Sequence, residues 1–138
     1  MIIYIIIREY HDQNEKPCDT GILLLKAYSD PIKAQCKLNL IRQELSTALE
    51  RYREAEKACR LLIDPPKTTS GSQNGDYGRW RREVTEFLEN FLGFSPYYYM
   101  NPEDPSGEVI DLDNCSTHYK IQEITLDGTD HRIPEIVK

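Results

Sequence analysis

The sequence has no CxxC pair, no apolar run of bilayer length and no excess of positive charge. Its longest apolar run, Ile2, Ile3, Tyr4, Ile5, Ile6 and Ile7, meets Arg8 and Glu9, well short of the ~20 residues a spanning helix needs. The run lacks the basic flank and small-residue cleavage site of an export signal. The protein is therefore expected in the cytoplasm, not at a membrane, with Cys18, Cys36, Cys59 and Cys115 reduced. Lys plus Arg number 17 against 23 Asp plus Glu, a formal charge of −6, which argues against a general nucleic-acid-binding surface. The spacing GxxxxGK followed by Ser or Thr is absent, as are HExxH, GxSxG and a complete EF-hand loop. Asp111, Asp113 and Asn114 resemble the start of a calcium loop but lack its later Gly and Glu. His11, His118 and His131 fall in predicted loops or strand edges, and no Ser/His/Asp or Cys/His set can be given an active-site geometry from the sequence. No enzyme, cofactor or metal is expected.

What is present predicts an α+β fold. A chain of 138 residues with 39% hydrophobic and 29% charged residues is long enough for one domain, 1–138, with its own core. Residues 2–9 and 21–28 are apolar at consecutive positions, as in strands buried on both faces. They are expected to pair antiparallel across the polar stretch 11–20.

The strongest periodic signal follows. Ser29, Asp30 and Pro31 form a helix start. Ala34, Leu38, Ile41, Leu45, Ala48, Tyr52, Ala55, Cys59 and Leu62 then repeat at alternating spacings of four and three until Pro65 and Pro66. This predicts a heptad helix over 30–63, roughly 50 Å long, longer than a small sheet can cover. Residues 64–78 are a linker by composition, rich in Gly, Ser and Pro. Trp80, Val84, Phe87 and Phe91, with Leu88 and Leu92 alongside and Gly93 as cap, predict a second helix over 79–93. It can fold back on the first as a helical hairpin, or a second copy can cover the stripe; a homodimer is expected. Residues 117–126 read as a third strand and 132–137 as a short edge strand. The expected order is β-β-α-α-β, a small antiparallel sheet packed on the long helix.

Charge is uneven along the chain. Residues 1–29, 30–63, 64–94 and 95–138 carry −1, +2, −1 and −6. Glu103, Asp104, Glu108, Asp111 and Asp113 fall within the last of these. Spaced carboxylates can imitate nucleic-acid phosphates and occupy a basic groove on a partner. A second constellation is Arg79, Trp80, Arg81 and Arg82 at a helix start, followed by Tyr97, Tyr98 and Tyr99. Guanidiniums and a helix N-terminus suit phosphate, and aromatic rings stack on bases, so this set could hold a cyclic nucleotide. The bland alternative is a core Trp with solvated arginines paired to Glu83 and Glu86. Cys115 with His118, and His11 with Cys18, are the types that bind zinc, but neither pair repeats a structural zinc spacing.

The opening segment Met1–Tyr10, then Gly21–Asp30 leading into a helix, resembles small phage-encoded proteins, and Tyr119–Asp127 is similar to their last strand. Some anti-CRISPR proteins, and some phage proteins that sequester immune signalling nucleotides, share this look. The resemblance covers residues 1–45 and 117–127 and carries over no functional residue. It implies a non-enzymatic inhibitor in the host-cell cytoplasm. Such a protein would antagonise a host defence component, such as a nucleic-acid-binding CRISPR effector, through its acidic surface. The alternatives are a sponge for a cyclic nucleotide immune signal and an oligomerising structural module.

Overall fold

A computed structural model describes residues 1–11, 17–66, 75–126 and 136–137, with the backbone alone described for residues 11 and 17–23. The fold is α+β, with a small mixed sheet and two helices. In chain order the elements are β1 (Ile2–His11), β2 (Pro17–Tyr28), α1 (Pro31–Leu62) and α2 (Asp76–Leu92), then a 3-10 turn (Pro96–Tyr98), β3 (Tyr99–Met100), β4 (Val109–Ile110), β5 (Thr117–Thr125) and β6 (Ile136–Val137).

Three features differ from the sequence reading. The main sheet runs β5-β1-β2-β6. It is mixed rather than antiparallel, because β6 pairs with β2 in parallel through Ala27–Ile136 and Tyr28–Val137. The two-residue strands β3 and β4, which the sequence reading did not include, form a separate ladder. Finally, α2 starts at Asp76 instead of residue 79. Gly75 takes the extended cap conformation, and the Asp76 carboxylate lies in the first turn, where the helix dipole favours negative charge.

The chain groups into two compact units. The first comprises Met1–Leu45, Met100–Ile110 and Asn114–Lys138, and the second comprises Ser46–Tyr99 and Asp111–Asp113. In the first unit β1 is the central strand, antiparallel to β2 and β5. Ile3, Ile5, Ile7 and Ala27 form an apolar cluster on one face, with Ile124, Leu126 and Ile136 packed against it. Ile6 and Arg8 alternate with them and are equally buried, which is why the strand is apolar at consecutive positions. The Asp30 carboxylate caps α1 by accepting the Ile32 N–H at 2.9 Å. Ala34, Leu38, Ile41 and Leu45 are buried in the same unit.

In the second unit the heptad stripe continues through buried Ala48, Tyr52, Ala55 and Cys59. The buried residues of α2 are Leu88 and Leu92, while Phe91 is exposed and stacks on Phe87 at 6.0 Å. Gly93 ends α2 at φ +81°, with its N–H on the Glu89 carbonyl, a left-handed cap that favours glycine. From Ala34 to Cys59 the stripe is covered within one chain, and only Leu62 stays 72% exposed. A homodimer would need a surface other than this stripe.

Candidate functional site

Two polar centres stand out, one in each unit. In the first unit Arg8 is fully buried in the central strand. Its Nη1 donates to Asp104 Oδ2 at 2.9 Å, and its Nη2 meets Glu108 Oε2. The Tyr119 hydroxyl donates to the same Asp104 oxygen at 2.9 Å, and the guanidinium lies 5.2 Å from the Tyr10 ring centroid. Burial alone would lower the Arg8 pKa, but Asp104 and Tyr119 outweigh it and leave the pKa above its ordinary value. Burial likewise pushes the Tyr119 phenol up, reinforced by the Asp104 carboxylate.

The sequence positions these partners through turns. Asn101 accepts the Glu103 N–H through its side chain and donates to the Ile41 carbonyl at 3.0 Å. Asp104 accepts the Ser106 N–H through its second carboxylate oxygen, and Gly107 turns the chain at φ +69°. The centre is packed and sets one guanidinium against two carboxylates, with the buried Arg8 Nε left without a hydrogen-bond partner.

The second unit holds a cavity of about 460 Å³. Tyr52, Glu56, Cys59 and Arg60 line it from α1, and their spacing of four, three and one places them on one helix face. Trp80, Arg81, Val84 and Leu88 line it from α2, and Ile63, Pro65, Tyr97 and Asp113 complete the wall. Such a mixture of apolar walls and a few polar groups, at this volume, is typical of small-molecule sites.

At the polar part of this wall the Tyr52 hydroxyl lies 2.7 Å from Asp113 Oδ1 and 3.1 Å from Glu56 Oε2. The other Glu56 oxygen accepts from Arg60 Nη2 at 3.1 Å. Asp113 is held by its own N–H on Asp111 Oδ1, next to buried Leu112, whose N–H bonds the Pro96 carbonyl. Burial, followed by the two carboxylates, pushes the Tyr52 phenol far above its ordinary value. Burial also raises the Cys59 thiol and the Tyr97 phenol. The Arg81 Nη1 donates to the Tyr77 hydroxyl at 3.3 Å, and the Tyr77 and Trp80 rings are 5.7 Å apart.

Of the seven residues expected to hold a nucleotide, Trp80, Arg81 and Tyr97 line this cavity. Arg79 is exposed, 3.8 Å from Asp76, and Arg82 lies in a shallow cleft with Thr85, Glu86 and Glu89. Tyr98 is exposed, and Tyr99 packs on Phe94 at 5.3 Å. Sequence reasoning missed Tyr52 and Glu56. The available signal was a phenol on an otherwise apolar stripe, with a carboxylate one turn further on.

The five carboxylates expected to form one acidic surface do not act as a set. Asp104 is buried on Arg8 and Tyr119, which corrects its assignment to an exposed surface. Glu103 pairs with Lys37 at 2.6 Å, and Glu108 pairs with Arg8. Asp111 and Asp113 belong to the second unit. Glu103, Asp104 and Glu108 are each paired with a cation of their own unit.

Among the described residues, no group of three or more His, Cys, Asp or Glu is placed to hold a metal ion. Cys115 is half-buried, and the side chains of His11 and Cys18, like His131, lie outside the described residues. No described helix is long and apolar enough to cross a membrane. No known protein family, curated protein or solved structure matches this chain.

Proposed function

We propose that the protein is a non-enzymatic binding protein whose second unit, a helical hairpin closed by residues 97 and 113, sequesters a small nucleotide. The observation that carries this reading is the cavity itself. It contains an indole, a phenol and a guanidinium, Trp80, Tyr97 and Arg81, that were singled out for base and phosphate on chemistry alone. The rings supply π-faces for a base, and Arg81 supplies a cation for a phosphate. The Tyr52 hydroxyl and Cys59 thiol are held protonated, which makes both poor nucleophiles and favours binding over chemistry. Sequestering a signalling cyclic nucleotide is one way in which a phage-type protein antagonises a host defence. An inhibitor acting through an acidic surface is less favoured, because Asp104 is buried and Glu103 and Glu108 are paired.

The chain has a single tryptophan, and it lines the cavity, so tryptophan emission, excited selectively over the tyrosines, reports on this site. Titration with cyclic mononucleotides is expected to change Trp80 emission saturably. Tyr97→Ala should weaken binding about tenfold, the lower part of the range for one base–aromatic stack. Unchanged emission and unchanged melting temperature at millimolar nucleotide would sink the proposal.

A further inference from the structure

Resting on that reading, we infer that the cavity selects a guanine base, with Glu56 accepting its adjacent N1–H and N2 amino donors. The argument begins with a count of protons. The Tyr52 hydroxyl has one hydrogen and two carboxylate oxygens within reach, at 2.7 Å on Asp113 and 3.1 Å on Glu56. The shorter contact takes the proton. Glu56 Oε2 then faces the lone pairs of the phenol instead of a donor, in the wall of a cavity.

A carboxylate has about four lone-pair sites and accepts two parallel N–H donors well. Arg60, with its side chain 76% exposed, occupies only part of that capacity on the other oxygen. Guanine presents two neighbouring donors in that arrangement. Adenine presents one donor beside the lone pair of N1, which would confront the carboxylate. A base with its donors toward Glu56 therefore relieves a repulsion that the empty wall contains.

A second, independent observation concerns Trp80. Its Nε1 is buried, with no hydrogen-bond partner, in a residue that lines the same cavity. Such an orphan donor costs about 1–3 kcal/mol. The guanine carbonyl O6 sits beside N1–H and is the acceptor that a small turn of the indole would bring into reach. The cavity thus offers acceptors from Glu56 to a base edge with two adjacent donors, and the buried Trp80 Nε1 becomes a donor to O6 once the indole turns. Its ionised side chains Glu56, Asp113, Arg60 and Arg81 balance in sign, consistent with a ligand that has a donor-rich end and an anionic end.

The test compares cyclic GMP, cyclic IMP and cyclic AMP by calorimetry on the whole protein. Cyclic GMP is expected to bind at least tenfold tighter than cyclic AMP, with cyclic IMP, which lacks the N2 amino group, in between. Glu56→Gln should bring the preference for cyclic GMP over cyclic AMP below threefold, because the amide loses an acceptor for guanine and gains a donor for adenine N1. Equal affinities of the three ligands for the wild-type protein would overturn the guanine assignment and leave the nucleotide reading standing. Binding of none would overturn both. The wild-type comparison decides the matter even if the variant fails to fold.

Discussion

Both units gather carboxylates around a tyrosine, yet they leave opposite balances of donors and acceptors. In the first, Asp104 and Glu108 meet a guanidinium that supplies several N–H groups, and Tyr119 adds another donor. In the second, Glu56 and Asp113 meet a phenol with one hydrogen, beside about 460 Å³ of open volume. The first arrangement is filled by side chains, although the buried Arg8 Nε has no hydrogen-bond partner, and it holds the sheet to the segment around residues 101–108. The second lacks donors that a ligand can bring. Similar residue types therefore build a structural lock in one place and a recognition surface in the other. The deciding quantities are proton count and free volume.

The largest expected effect comes from breaking the lock. Arg8→Met leaves Asp104, with its side chain 1% exposed, without its cation and should cost about 3–5 kcal/mol in urea unfolding. The double variant Arg8→Met with Asp104→Leu should recover much of that loss, because the penalty is an orphaned charge. A double variant no better than the single one would contradict the assignment.

Alkali sharpens the comparison next. Tyr52 and Tyr119 both have folded pKa values raised above the ordinary tyrosine value. Their contribution is complete below about pH 10 and is lost as pH rises above it, since the unfolded chain then releases protons that the folded chain keeps. Each phenol steepens the decline by about 1.4 kcal/mol per pH unit. Phe at either position should remove one such increment from stability measured between pH 10 and 11. The smallest effect is expected for Glu108→Gln. Its side chain is 54% exposed, so the cost should stay below about 1 kcal/mol in the same urea assay.

Much of this architecture is written locally in the sequence. The Asp30–Pro31 start of α1 and the alternating spacing from Ala34 to Cys59 depend on neighbours within a few turns, and the helix and its buried face follow them. The consecutive isoleucines of β1 likewise announce a strand buried on both sides. Features that depend on distant partners were not legible. Arg8 ends an apolar run and looks like an exit to solvent, but its partners lie 96 and 100 residues away. The parallel pairing of β6 involves two residues and depends on how the chain returns. On α2 the aromatic spacing pointed to Phe91, yet Leu88 and Leu92, one position on, occupy the interior. The Trp80–Arg81–Tyr97 constellation was legible by residue type. Its acidic counterpart, Tyr52 with Glu56 and Asp113, was hidden because these residues are 61 positions apart at the longest link.

The placement of Arg8 also has a consequence for how the chain is made. The central strand leaves the ribosome well before its partners: its second neighbour, β5, spans Thr117–Thr125, and its charge is met only when residues 104 and 108 arrive. Pairings of such long sequence separation form late because the loop must close before they contribute. Most of the second unit, Ser46–Tyr99, is contiguous and can assemble while β1 still waits with a cation that no partner has reached. Nascent chains released before residue 104 should therefore expose an isoleucine-rich strand that cannot bury its arginine, and these truncated species are the ones a chaperone would recognise.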